Sequence, residues 1–226
     1  MERVRGRGER LDRLLDRMRV GRRGRSGRTD LGYSHACALL TDGTISCWGH
    51  NLYGELGDGT SISRSTPRPV PGLTGVTALA LGFRQSCALL NTGTVSCWGR
   101  NHYGQLGDNT TVHRSSPISV LELTNVVEVE VGQSISCARL VDGEIQCWGN
   151  NAWGQIGDGT TTTRPAPVSV LGLTGSAAFS TGLAHSCVSR SDGSVWCWGW
   201  NIHGQLGDGT RENRSAPVPA AWDIAL

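Results

Sequence analysis

Every 50 residues this chain repeats itself. Cys47-Trp48-Gly49 returns as Cys97-Trp98-Gly99, Cys147-Trp148-Gly149 and Cys197-Trp198-Gly199. Asn51, Gly54 and Gly57-Asp58 follow in the same register, at Asn101, Gly104, Gly107-Asp108, then Asn151, Gly154, Gly157-Asp158, then Asn201, Gly204, Gly207-Asp208. Pro67, Pro117, Pro167 and Pro217 hold the step, and no insertion interrupts it. A fixed period of this length is the mark of a propeller or solenoid, in which stacked units share one core.

Each unit reads as β structure. Residues 35–40 and 44–48 are strand candidates around Thr41-Asp42-Gly43, where glycine suits the left-handed position of a hairpin turn. Gly93, Gly143 and Gly193 repeat that turn. Residues 76–81 and 126–131 alternate Val or Leu with other residues, as half-buried strands do. A shorter strand is expected near 68–71, after Pro67, and a long connection over Gly54–Ser65. In that connection Leu56, Leu106, Ile156 and Leu206 are expected to anchor inward, and Asp58 and its equivalents to cap turns. The Trp48 series is expected to fill the space between neighbouring units. The predicted fold class is all-β: propeller-type repeats in four blade-like units of about 50 residues, a partial or oligomer-completed propeller.

The eight cysteines flank the hairpin turns in pairs: Cys37/Cys47, Cys87/Cys97, Cys137/Cys147 and Cys187/Cys197. Opposite positions of a hairpin permit a disulfide, and buried thiols are the alternative. Metal ligation is disfavoured, because the spacing is not that of a metal knuckle and no periodic histidine completes a site. Oxidised pairs imply an extracellular or periplasmic, secreted protein. The N-terminus carries no apolar signal core, which favours the alternative, a reduced cytoplasmic chain.

Charge separates the first 30 residues from the rest. Residues 1–30 hold 11 arginines and five acidic residues, whereas 31–226 hold 10 arginines and 14 acidic residues. Residues 1–30 read as a basic leader, with a short amphipathic helix over 9–19 carried by Leu11, Leu14, Leu15 and Met18. Nucleic-acid or membrane-surface contact is assigned to that leader alone; a solvated extension is the plainer reading. No apolar run is long enough to span a bilayer.

Gly32-Tyr33-Ser34-His35 followed by Leu39, Asp42-Gly43, Trp48-Gly49, Asn51, Gly54 and Leu56-Gly57 resembles the regulator-of-chromosome-condensation repeat, as does Cys197 through Gly207. The likeness covers residues 31–219. It implies blades of a seven-bladed propeller, and activities that range from exchange on a small GTPase to chromatin and protein binding. The paired cysteines resemble those of exported bacterial members. This chain departs in having four repeats, and in placing Gln85 and Ile135 where His35 and His185 stand. With no strand read before Leu31, ring closure is not assured: an incomplete or oligomer-completed propeller is preferred, with self-association to complete or cover sheet edges, and a compact four-blade ring is the alternative.

The functional expectation is a non-catalytic scaffold that presents loops to a protein partner. Two alternatives accompany it: a guanine nucleotide exchange factor for a small GTPase, and an extracellular carbohydrate- or envelope-binding module. The variable segments Ser61–Thr66, Thr111–Ser116, Thr161–Ala166 and Arg211–Ala216 are the loops in question. Arg64, Arg114, Arg164 and Arg214 form either a basic track or a set of loop-holding contacts. Tyr53, Tyr103, Trp153 and His203 share one repeated position, as an exposed planar stripe or as inter-blade packing. Asp58, Asp108, Asp158 and Asp208 read as turn caps, not a carboxylate set for chemistry. No catalytic, metal or cofactor residue is assigned, since no nucleophile elbow or phosphate loop is present. Asn109-Thr110-Thr111 and Asn213-Arg214-Ser215 are glycosylation triplets in a eukaryotic secretory setting.

Overall fold

The computed structural model describes residues 28–221. The expected helix over 9–19 lies outside them. Sixteen strands form four antiparallel sheets, each an up-and-down meander of four consecutive strands. The first sheet holds β1 (Arg28–Leu31), β2 (His35–Leu39), β3 (Ile45–Gly49) and β4 (Arg64–Pro69). The second holds β5 (Val76–Leu81), β6 (Gln85–Leu90), β7 (Val95–Gly99) and β8 (Arg114–Ser119). The third holds β9 (Val126–Val131), β10 (Ile135–Leu140), β11 (Ile145–Gly149) and β12 (Arg164–Ser169). The fourth holds β13 (Ser176–Thr181), β14 (His185–Arg190), β15 (Val195–Gly199) and β16 (Arg214–Pro219). These are propeller blades, and they form an open arc, not a closed ring.

Two strands differ from expectation. The chain before Leu31 is β1, paired with β2 from Arg28↔Leu39 to Leu31↔Ala36, so the first blade is complete and begins inside the segment read as leader. Its Asp30 carboxylate accepts the Leu81 N–H of the next blade at 2.8 Å, which ties an otherwise charged strand into the arc. The outermost strand starts at Arg64, not after Pro67, and ends at Pro69. The second half of each expected loop segment is therefore the blade's edge strand. Proline is tolerated there because an edge strand has one side free of ladder bonds.

The hairpin register sets Cys37 opposite Cys47, and likewise Cys87 opposite Cys97, Cys137 opposite Cys147 and Cys187 opposite Cys197. All four pairs are disulfide-bonded, and no cysteine is free. Just beyond, the register shifts between Cys97 and Gly99, and in the same way in the other blades. Gly99 takes φ +103, and a Cβ there would stand 2.7 Å from the Arg84 carbonyl oxygen, so only glycine fits this bulge.

The core lies in the seams between blades. Ile45, Leu56, Val70 and Leu73 of the first blade pack on Val76, Leu81 and Trp98 of the second. Val95, Leu106 and Val120 meet Val126, Val129 and Trp148. Ile145, Ile156 and Val170 meet Phe179, Val188 and Trp198. Trp98, Trp148 and Trp198 are fully buried, and each indole N–H donates to a carbonyl of the preceding blade: Glu55, Gln105 and Gln155, at 2.8, 2.9 and 2.9 Å. An indole in a seam supplies both area and a satisfied donor. Trp48 meets no preceding blade among the described residues and is half-buried.

The connection after each third strand crosses onto the next blade. Gly59 N–H donates to the Ser115 carbonyl, Asn109 N–H to that of Pro165, and Gly159 N–H to that of Ser215, at 2.8–2.9 Å. The arc is thus held by alternate layers of apolar seam and backbone clasp.

Candidate protein-binding face

The loops on one face are rigid because a buried asparagine organises each of them. Asn101 Nδ2 donates to Asp108 Oδ1 and to the carbonyls of Thr110 and Val112, while its Oδ1 accepts the Leu106 N–H at 2.9 Å. Asn51, Asn151 and Asn201 are equally buried and make the same bond to Leu56, Ile156 and Leu206. Losing this amide would leave several backbone groups unsatisfied, and asparagine offers two N–H donors beside its acceptor oxygen, more than a hydroxyl can. The invariance of these asparagines at the 50-residue step was the sequence signal for this role.

Asp108 completes the loop. Its Oδ1 accepts the N–H and hydroxyl of Thr110, and its Oδ2 accepts Arg114 Nη2 at 2.7 Å. Burial alone would raise its pKa, but Thr110, Arg114 and Asn101 together hold it below the usual carboxylate range. Arg64, Arg164 and Arg214 sit on Asp58, Asp158 and Asp208 in the same way. The four arginines thus brace the loops they leave. Asp108→Ala is expected to cost about 1–3 kcal/mol by orphaning the Thr110 and Asn101 donors. Arg114→Ala should cost less, since the aspartate keeps those donors. Urea unfolding of both variants checks the ordering; partner affinity lost at unchanged stability would instead make the arginines a binding track.

On this scaffold the turns after β1, β5, β9 and β13 share a face with the segments that follow the third strands. The backbone joins them: His50 N–H donates to the Ser34 carbonyl, Arg100 to Arg84, Asn150 to Ser134 and Trp200 to Ala184, each at 2.8 Å. Near the axis, Leu31, Tyr33, Phe83, Val131 and Leu183 line a shallow depression of about 360 Å³. Tyr33 is 73% exposed and stacks on Phe83 at 4.5 Å between centroids.

The four residues of the shared aromatic position separate here. Trp153 is 47% exposed and Tyr103 39%. His203 is exposed and meets the Trp200 ring edge-on at 5.4 Å. Tyr53 is half-buried in a contact chain that spans the first seam: the Arg84 guanidinium lies 5.1 Å from its ring centre, that of Arg100 5.7 Å, and the His113 ring 5.0 Å. His102 adjoins His113 at 4.8 Å. Burial first, then the charges of His102 and Arg100, lower the His113 pKa. Beneath them, the buried Glu55 carboxylate accepts His50 Nδ1–H and the Tyr53 N–H, at 2.8 and 2.9 Å.

Arg84, Arg100, His102 and His113 were not singled out by sequence. The signal available was departure from the repeat: the other blades carry Ser34, Ser134 and Ala184 at the first position, and His50, Asn150 and Trp200 at the second. Among the described residues no helix is long and apolar enough to cross a membrane.

Models of the "Regulator of chromosome condensation (RCC1) repeat" match residues 92–139, 142–189 and 192–222 in one form, and 29–55, 76–105, 126–155 and 177–205 in another. Among solved structures, human WBSCR16 is similar at 22% identity and TM-score 0.77, covering 86% of this chain and 52% of that one. Yeast RCC1 (Prp20), solved with Kap60 bound, is similar at 20% identity and TM-score 0.75, covering 88% and 49%. Prp20p from Saccharomyces cerevisiae, described with its binding properties to Gsp1p and histones, gives 20% identity and TM-score 0.79, covering 91% and 53%. The chain spans about half the length of these relatives.

Two of these relatives overturn the extracellular or periplasmic, secreted setting read from the cysteines: the yeast protein is described with Kap60 bound and with its binding to Gsp1p and histones. The physical reason is local. Directly opposed cysteines are a product of the hairpin register, so their placement follows from strand geometry whatever the compartment.

Proposed function

Because this chain belongs to the regulator of chromosome condensation (RCC1) repeat family, we propose that it is a protein-binding module that receives its partner on the loop face, with a small GTPase of the Gsp1p class as the first candidate. One observation carries the reading. On a framework repeated residue for residue, the exposed large side chains of this face, Tyr33, Tyr103, Trp153, Leu183 and Ile202, fall on positions the repeat leaves free to vary. Large apolar and aromatic groups at the surface of rigid loops are what protein recognition uses. Exchange on the bound GTPase, the alternative drawn from sequence, is the activity such an interface would serve.

The test is capture of a Gsp1p-class GTPase, nucleotide-free and GDP-loaded, by surface plasmon resonance, with nucleotide release followed in parallel. Saturable capture that prefers the nucleotide-free form, weakened at least tenfold (about 1.4 kcal/mol) by Trp153→Ala or Tyr33→Ala, is the expected result. Faster nucleotide release would add exchange activity. Capture unaffected by either substitution would place the interface elsewhere, and no capture would remove this GTPase class.

A further inference from the structure

We propose that Arg84 and Arg100, set against the Tyr53 ring, form a receptor for the phosphate of a phosphorylated serine or threonine on a protein partner. The inference rests on the binding role proposed above and gives the partner a chemistry. Both guanidiniums lie over one ring, Arg84 also lying 5.4 Å from the Phe83 ring centre. Attraction to a ring face engages the charge of a guanidinium without using up its N–H donors, which can still bind an oxyanion. Among the described residues neither arginine has a carboxylate partner or a side-chain hydrogen bond, and Arg100 Nε is a buried donor with no acceptor. The nearby carboxylate, Glu55, is already engaged by His50 and the Tyr53 N–H.

The position is built and not incidental. Arg84 and Arg100 are joined backbone to backbone across the Gly99 bulge, which fixes the origin of both side chains. His113 is fixed as well, its Nδ1 accepting the Asn101 N–H at 2.9 Å. None of Arg84, Arg100, His102 or His113 is required by the fold, because the other blades do without them. Two uncompensated guanidiniums match a group carrying about −1.5 to −2 charges better than a single carboxylate. Arginine clusters of this kind are a general means of phosphopeptide recognition.

The third blade supplies a variant that the framework accommodates: Arg84→Ser with Arg100→Asn installs the residues found at Ser134 and Asn150. The full chain is titrated with O-phosphoserine, glutamate and inorganic phosphate, observed by NMR at the arginine Nε–H and histidine ring signals. O-phosphoserine and inorganic phosphate should shift Arg84, Arg100, His102 and His113 saturably, at least tenfold more tightly than glutamate, and the double variant should lose the response. Glutamate binding equally well, or a response that survives in the double variant, would overturn the proposal. A single-stranded oligonucleotide binding this patch more tightly than an array of serine-phosphorylated peptides would overturn it in favour of nucleic acid. GTPase capture is a separate readout, so phosphate binding without capture defeats only the earlier reading.

Discussion

Trp148→Ala is expected to lower the unfolding free energy by about 3–5 kcal/mol, the usual cost of emptying a core site of an indole. Trp148 is fully buried: it packs among Leu106, Val120 and Val129 and donates to the Gln105 carbonyl across the seam. Removing it leaves a cavity and takes one of two donors from the Gln105 carbonyl, which keeps the Ser136 hydroxyl. The chain carries its own control in Trp48, which has the same motif and sequence neighbours but is half-buried, without a hydrogen bond from its indole among the described residues. Trp48→Ala should cost less than half as much. Urea unfolding of the two variants, followed by far-ultraviolet circular dichroism, measures the difference. Equal losses would mean that the tryptophan stabilises its own hairpin and not the seam.

The second large effect is a loss of stability in acid. Burial pulls the His35 pKa from 6.5 down to about 4, against a smaller opposing pull from Glu55, so the imidazole is neutral in the folded protein. It is hydrogen-bonded to the Ser86 hydroxyl of the next blade at 2.8 Å. Below pH 6.5 the unfolded chain takes up a proton that the folded chain refuses until about pH 4. The unfolded state then binds more protons, so stability falls as pH falls across that window, by about 3 kcal/mol in all, and His35 contributes no further loss below it. His113 and His185 act in the same direction, and Glu130, whose pKa burial raises, acts against them. A variant isolates the His35 share. Blade two holds the fully buried Gln85 at the equivalent position, so His35→Gln is a substitution with a precedent inside the molecule. The difference in unfolding free energy between the parent and His35→Gln should change by about 3 kcal/mol from pH 7 to pH 4. A pH-independent difference would show that His35 titrates in the folded protein as it does in the unfolded chain, and a change of the opposite sign that folding favours its protonated form.

What was legible in the sequence is what repeats. The 50-residue step fixed the number of blades, the hairpins around Gly43 and its equivalents, the cysteine partners and the inter-blade tryptophans. The two strands misread share a cause. Arg28–Leu31 and Arg64–Pro69 carry little apolar alternation, because β1 is closed by an Asp30 carboxylate and the edge strand has one face in solvent. Strand pairing there is bought by neighbours and not by pattern. Arg114 and its equivalents are conspicuous along the chain, and they reach back six residues to an aspartate, the loop-holding contact that was one of the two roles read for them from sequence. Arg84 and Arg100 are inconspicuous, 16 residues apart and outside the period, and only the β6–β7 hairpin brings both onto a tyrosine of another blade.

The backbone clasp between successive blades also bears on how such a chain changes length. Each clasp joins one unit to the next through the same positions, Gly59 to Ser115 and Gly159 to Ser215 being two copies of one contact. Excising 50 consecutive residues from the middle would bring the first clasp to the third unit, where Pro165 already accepts an equivalent bond from Asn109. No new interface need be invented when a unit is gained or lost. The gene for a protein of this design can therefore lengthen or shorten by whole multiples of 150 nucleotides while every joint stays one it has already tested, and variation can accumulate at the seams' outer residues without renegotiating the architecture.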